Sequence, residues 1–195
     1  MPPTSERVRQ HFDQPDRYLS NRFEIDVRAE IVRELLGAPP SLRIVDVGCG
    51  DGSVSRQFLA DGCRLVMVDA SSEMLARCRQ GVAPEGEGQV SFHHLDLLRD
   101  DFAETFDIVL CLGVLAHVES VDGAIARLAA LCRPGGQCVI QFTDATRRAA
   151  ALTRAYMVLR KGLPGGHGYV TNRVTPAMIM QAAGRQGLVP IASRR

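Results

Sequence analysis

The chain has 195 residues, 46% hydrophobic and 23% charged, with a formal charge of +1 at pH 7. One domain of this length buries an apolar core without a disulfide or metal staple. Balanced charge and 5% aromatic content disfavour a nucleic-acid partner, no run reaches the roughly 18 apolar residues of a membrane span, and MPPTSERVRQ is too polar for a secretory signal.

Residues 1–21, with Pro2, Pro3 and Pro15, read as an arm or lid ahead of a single domain over 22–195. From Asn21, the apolar positions Phe23, Val27, Ile31 and Leu35 fall four apart, a helical stripe that ends at Gly37 and Pro39-Pro40. LRIVDVG (42–48) is an apolar, β-branched run of the kind buried in a parallel sheet. It leads into GCGDG, after which Ser53 is placed to cap a helix carrying Val54, Phe58 and Leu59. A second strand is expected over 64–69, a helix over Ser72–Gln80, a polar turn over 81–89 and a third strand over 90–96. FDIVLCLG (106–113) reads as a fourth strand and GQCVIQF (136–142) as a fifth. Between them a helix runs from Val121 to Cys132 and stops at Arg133-Pro134-Gly135-Gly136. A helix over 145–161, a glycine-rich loop over 162–173, a helix over Pro176–Ala183 and a short sixth strand, GLVPIAS (187–193), complete the chain. This alternation predicts an α/β fold, a Rossmann-like doubly wound, mostly parallel sheet with helices on both faces.

The neutral total hides a tilt. Residues 1–100 hold 12 basic and 16 acidic side chains and residues 101–195 hold 11 and 6, too modest a basic excess for an RNA surface. Six cysteines at 49, 63, 78, 111, 132 and 138 form no CxxC pair, which points to reduced thiols in the cytoplasm and no structural metal.

Open parallel sheets bind ligands beyond the carboxyl ends of their strands, where the strand order reverses. Those ends collect Gly48, Gly50 and Gly52 after the first strand, Asp69 at the second, Asp96 at the third, and Leu112, Gly113 and His117 at the fourth. The glycine spacing is GxGxG, not the GxGxxG that opens a dinucleotide site. Asp51 inside this turn would repel a pyrophosphate, so a cationic or zwitterionic ligand suits it better. Asp69, 17 residues past Gly52, stands where a carboxylate can accept from both hydroxyls of a ribose. Asp46 sits inside an apolar strand, where burying a carboxylate needs partners, so it reads as functional.

VDVGCGDG (45–52), the acid in VMVDASSEML (66–75), HHLDLL (93–98), FDIVLCLGVLAHV (106–118) and LCRPGG (131–136) resemble the motifs of the small-molecule class I S-adenosylmethionine-dependent methyltransferases in order and spacing. The resemblance covers about residues 20–192. It implies S-adenosyl-L-methionine as cofactor and a seven-stranded sheet whose last strand is antiparallel. That strand and its hairpin would need roughly 20–30 residues beyond Arg195. The sheet is therefore expected to end unfinished, either because the chain is a fragment or because a second subunit of a homo-oligomer covers the edge. The resemblance further implies that Asp46 orients the methionine end of the cofactor, partly through water. Gly48, Cys49 and Gly50 give it backbone access, and Asp69 binds the ribose. Ala70 and Met74 lie by the adenine, where Met74 is as easily a core residue. Asp96 and the Leu97 backbone meet the adenine amino group, and the Leu112 carbonyl holds the ammonium.

Methyl transfer needs alignment of the two centres and, for a hydroxyl acceptor, removal of a proton. His117 follows the fourth strand and is either a catalytic or acceptor-contacting residue or a loop-structuring one. His167 and Tyr169 are further catalytic candidates, and Phe12, Tyr18 and Arg22 are candidate cover over the site. His93 and His94 point to opposite strand faces and read as structural, and with no third clustered ligand no metal site is expected. The acceptor half, the arm and an insertion around 143–175, names no specific metabolite. The leading expectation is methyl transfer to a small molecule at oxygen, with nitrogen or carbon open. The alternatives are a methyltransferase acting on RNA or protein, a non-catalytic S-adenosylmethionine-binding module, and a nicotinamide-dependent reductase, which the GxGxG spacing disfavours.

Overall fold

The computed structural model describes residues 22–96, 100, 102–146 and 172–193. The expected arm over 1–21, Leu97, most of the helix expected over 145–161, and His167 and Tyr169 lie outside the described residues.

Five strands, β1 (Arg43–Val47), β2 (Arg64–Asp69), β3 (Val90–His94), β4 (Phe106–Leu112) and β5 (Cys132–Gln141), form one sheet in the order β3-β2-β1-β4-β5. Every pairing is parallel. The chain leaves β1 toward β2 on one side and returns to β4 on the other, so the reversal of strand order falls between β1 and β4. Ile44, Val45 and Val47 of β1 are buried, because a central parallel strand is covered on both faces and both alternating side-chain sets must be apolar. Val45, Val47, Val68 and Val109 face one apolar cluster, and Ile44, Leu65, Met67 and Leu110 face the other.

The first cluster is roofed by α3 (Val121–Leu131) and α4 (Pro176–Arg185), which contribute Ile125, Leu128, Ile179 and Ala182. Ser120 caps α3 by accepting from the Gly123 N–H at 3.1 Å, and Thr175 caps α4 by accepting from Met178 at 3.3 Å, with Pro176 in the first turn. The second cluster is covered by α1 (Arg22–Leu36) and a 3-10 helix (Ser55–Asp61). Between β2 and β3 lies α2 (Ser72–Gln80), as the sequence predicts. No helix of the described residues is long and apolar enough to cross a membrane.

Five expectations are corrected, the last of them at the fifth strand. The buried face of α1 is not Phe23, Val27, Ile31 and Leu35, since Phe23 is 77% exposed. It is Ile25, Ala29, Val32 and Leu36. A constant step of four drifts about 40° per step around a helix of 3.6 residues per turn, whereas steps of four, three and four stay on one side. Ser53 caps nothing. Its hydroxyl donates to Asp51 at 2.6 Å, and the helix after the glycine loop is the 3-10 element, entered from Val54 without a side-chain cap. The turn 81–89 contains a second 3-10 helix, Pro84–Gln89. Residues 187–193 form no strand, and Val189 and Ile191 are each 78% exposed; Pro190 between them has no N–H to give a sheet ladder.

The fifth strand begins earlier than expected. Cys132 already pairs with Phe106, the register then slips so that Ile108 meets Gln137, and Arg133–Gly136 bulges between them. Arg133 Nε lies 2.6 Å from Asp107 Oδ1 across this bulge. A Cβ on Gly136 would fall 2.9 Å from the Asp107 carbonyl oxygen, so only glycine fits the return into the ladder.

Candidate functional site

The carboxyl ends of β1, β2 and β4 converge on one face of the sheet. Side chains alternate along each strand, so Asp46 shares the face of Ile44, Asp69 that of Met67, and Leu112 that of Leu110. Above them α1 turns Ile25 and Arg28 inward, and the glycine loop brings Gly48, Cys49 and Asp51. Together with Asp46 and Leu112 these loop and helix residues line a shallow, open pocket, and Asp69 lies outside its lining.

The loop is held by β2 more than by its own helix. The Gly48 and Cys49 N–H groups both donate to the Val68 carbonyl, at 2.8 and 3.1 Å. The Gly50 N–H donates to Asp69 Oδ2 at 2.8 Å, and Ser71 N–H donates to Asp69 Oδ1 at 2.8 Å. Gly48 has φ +70°, and a Cβ there would lie 2.3 Å from Val114 Cγ2 in the loop after β4. Glycine is therefore needed twice over, for the left-handed backbone and for the close approach.

Asp46 is 3% exposed. Burial pushes its carboxyl up to about 6; the Ser55 hydroxyl opposes the rise, Asp69 adds to it, and Arg28 opposes it. Burial also raises Asp69, against the backbone N–H groups of Ser71 and Gly50, which favour its charged form. A pair of carboxylates so placed favours cationic and hydrogen-bond-donating ligands. Asp51 is partly engaged internally, accepting from the Ser53 N–H at 3.1 Å and from its hydroxyl.

The remaining candidates distribute unevenly. Cys49 lines the pocket, but its hydrogen bond with Cys78, and then burial, hold its thiol protonated, so it is backbone rather than nucleophile. Ala70 follows β2, and its carbonyl meets His94 Nε2 at 3.0 Å. Met74 is 1% exposed in the first turn of α2, packed as a core side chain. Asp96 lies just past β3, half-buried, with its N–H on Asp100 Oδ2 at 2.9 Å. His117 is half-buried in a turn closed by its own N–H on the Val114 carbonyl at 2.8 Å. His93 bonds Ser91 at 3.2 Å and packs edge-on to Phe102, the structural role expected of it. Among the described residues no group of three His, Cys, Asp or Glu side chains is arranged to hold a metal.

Two residues escaped the sequence reading. Arg28 lines the pocket beside Asp46; its signal was the spacing from Ile25 on the true buried face of α1. Asn172 reaches back to the loop after β4, a long-range contact with no local signature.

A family model described as a methyltransferase domain matches residues 44–136. A ubiquinone biosynthesis O-methyltransferase of Bradyrhizobium sp. (strain ORS 278) is 34% identical over 137 residues, 69% of this chain and 53% of the relative. One from Mesorhizobium japonicum is 31% identical over 172 residues, covering 85% of this chain and 68% of the relative. The chain thus spans little more than half the length of the first of these. Among solved structures, magnesium protoporphyrin IX methyltransferase from Synechocystis PCC 6803 with bound SAH superposes with a TM-score of 0.71 at 21% identity, covering 94% of this chain and 88% of that one.

Proposed function

Because the chain belongs to the class I S-adenosylmethionine-dependent methyltransferases, we propose that it transfers a methyl group from S-adenosyl-L-methionine to a hydroxyl oxygen of a small molecule. The observation that carries this reading is the row formed by Asp46, Asp69 and the glycine loop at the reversal of strand order. The donor set fits the cofactor. Asp46 is a buried carboxylate facing a pocket and suits an ammonium group, with the Leu112 carbonyl at the end of β4 as second acceptor. Arg28 lies on the same pocket and suits the carboxylate at the other corner of an amino-acid moiety. Asp69, its orientation fixed by two backbone N–H groups, keeps lone pairs for ribose hydroxyls. Asp96 and Leu97 are assigned to the adenine.

When bound, the cofactor supplies an electrophilic methyl group on a sulfonium. The chain's part is to hold that group in line with the acceptor oxygen and to exclude water. His117, in the loop after β4, is the residue assigned to take the acceptor's proton. Oxygen is preferred over nitrogen because the curated relatives are O-methyltransferases. All six cysteines are free, which favours a reducing compartment such as the cytoplasm.

Calorimetry tests the reading. The protein should bind S-adenosylmethionine with micromolar affinity, and Asp69→Ala should weaken it severely. No heat of binding at about 100 µM ligand would refute it.

A further inference from the structure

Asn172 immediately precedes the strap into α4, and every donor it owns is directed into one loop. Its backbone N–H donates to the Ala116 carbonyl at 2.8 Å. Its side-chain Nδ2 donates to the Leu115 carbonyl at 3.4 Å and to the Val118 carbonyl. An amide has two N–H bonds on that nitrogen, so three carbonyls flanking His117 are held by one residue. The strap itself is anchored: the Val174 carbonyl accepts from the Ala145 N–H at 2.9 Å, and the Val174 side chain is 1% exposed in the core. Val114 of the same loop packs against Gly48.

We propose that Asn172 is a positioning residue that fixes the backbone around His117, and so the direction of its imidazole. A cap on α4 needs none of this, because Thr175 already supplies it. Nor does burial of Val174, whose own backbone bond goes to Ala145. The three donors serve the loop after β4 alone, and that loop carries His117, the residue proposed above to take the acceptor's proton. The assignment rests on the methyltransferase reading for its catalytic meaning, but not for its geometry.

The test is the imidazole resonance of His117, assigned by loss in a His117→Gln variant. It is followed in Asn172→Ala, Asn172→Ser and Asn172→Asp. Asn172→Asp keeps the side-chain shape and the backbone bond to Ala116, loses both Nδ2 donors, and sets a carboxylate against two carbonyls. Its His117 signal should depart from the wild-type position at about pH 8, where the aspartate is ionised. Asn172→Ala should depart at the same pH, and Asn172→Ser should fall between wild type and Asn172→Ala. SAH affinity, measured on the same samples, should stay within about twofold of wild type. A wild-type His117 signal in any folded variant overturns the proposal. So does unfolding of all three, since Asn172 would then hold the fold and not the loop. Wild-type protein that fails to bind SAH refutes the methyltransferase reading instead, and the His117 signal still decides the role of Asn172.

Discussion

Replacing Gly48 by alanine tests whether the cofactor loop and the loop after β4 are one packed unit. The new methyl would stand 2.3 Å from Val114 Cγ2, with Val114 Cβ at 3.6 Å and Cγ1 at 3.8 Å. Ordinary carbon contacts lie near 3.5–4.0 Å, so the γ2 methyl must move by more than an ångström. Turning Val114 relieves the clash only in the rotamer that presents its single Cβ hydrogen, and a β-branched side chain has few alternatives. Overpacking of this kind costs about 1–3 kcal/mol. The left-handed backbone at φ +70° adds about 1–2 kcal/mol for any residue with a Cβ. Gly48→Ala should therefore lose about 2–5 kcal/mol in denaturant unfolding, with little change in the m-value. Val114→Ala alone, at a half-buried position, should lose about 1 kcal/mol. In the double variant the clash is gone and only the backbone cost remains, so the two changes should couple by about 1–3 kcal/mol in the stabilising direction. Additivity within about 0.5 kcal/mol would refute the steric account and leave backbone strain as the whole effect.

Three other outcomes follow from the same geometry. Asp69→Asn should reduce S-adenosylmethionine affinity by roughly 10- to 100-fold in calorimetry, the worth of hydrogen bonds to a charged group. Asp46 has a folded pKa near 6, above the ordinary 3.8, so its contribution to stability is fully present below about pH 4 and is lost as pH rises through 6. Asp46→Asn should accordingly be more stable than wild type at neutral pH in thermal melts, yet bind the cofactor poorly; wild-type affinity itself should fall below pH 6 as the carboxylate is protonated. Phe58 is fully buried, with the Arg33 guanidinium 4.6 Å from its ring centroid, and Phe58→Ala should lose about 3–5 kcal/mol of unfolding free energy.

The strands were legible because central parallel strands are short, continuous apolar runs with loops of distinctive chemistry at one end. The site was legible for a related reason: a carboxylate inside such a run, Asp46, and another ending one, Asp69, contradict the local pattern and so advertise themselves. The reading failed where two patterns competed or where the decisive partner was distant. Both stripes of α1 repeat at helical spacing, and the difference lies in angular drift. GLVPIAS has the alternation of a strand, yet among the described residues no edge pairs with it. Arg133-Pro134-Gly135-Gly136 reads as a stop, but the ladder with β4 carries the chain through it as a bulge. Asn172 is an unremarkable polar residue until the carbonyls more than fifty positions earlier are placed beside it.

The attachment of the glycine loop to β2 has a consequence for how the site tolerates change. Three successive amides of the loop end on Val68 and Asp69, and Asp69 is also the acid assigned to the ribose. The two ligand-facing elements thus share a single mount and cannot drift apart without breaking the strand that carries both. The Gly50 amide proton is a built-in gauge of this mount. Its exchange with solvent reports directly whether the Asp69 carboxylate is in place, with no ligand, acceptor or turnover required.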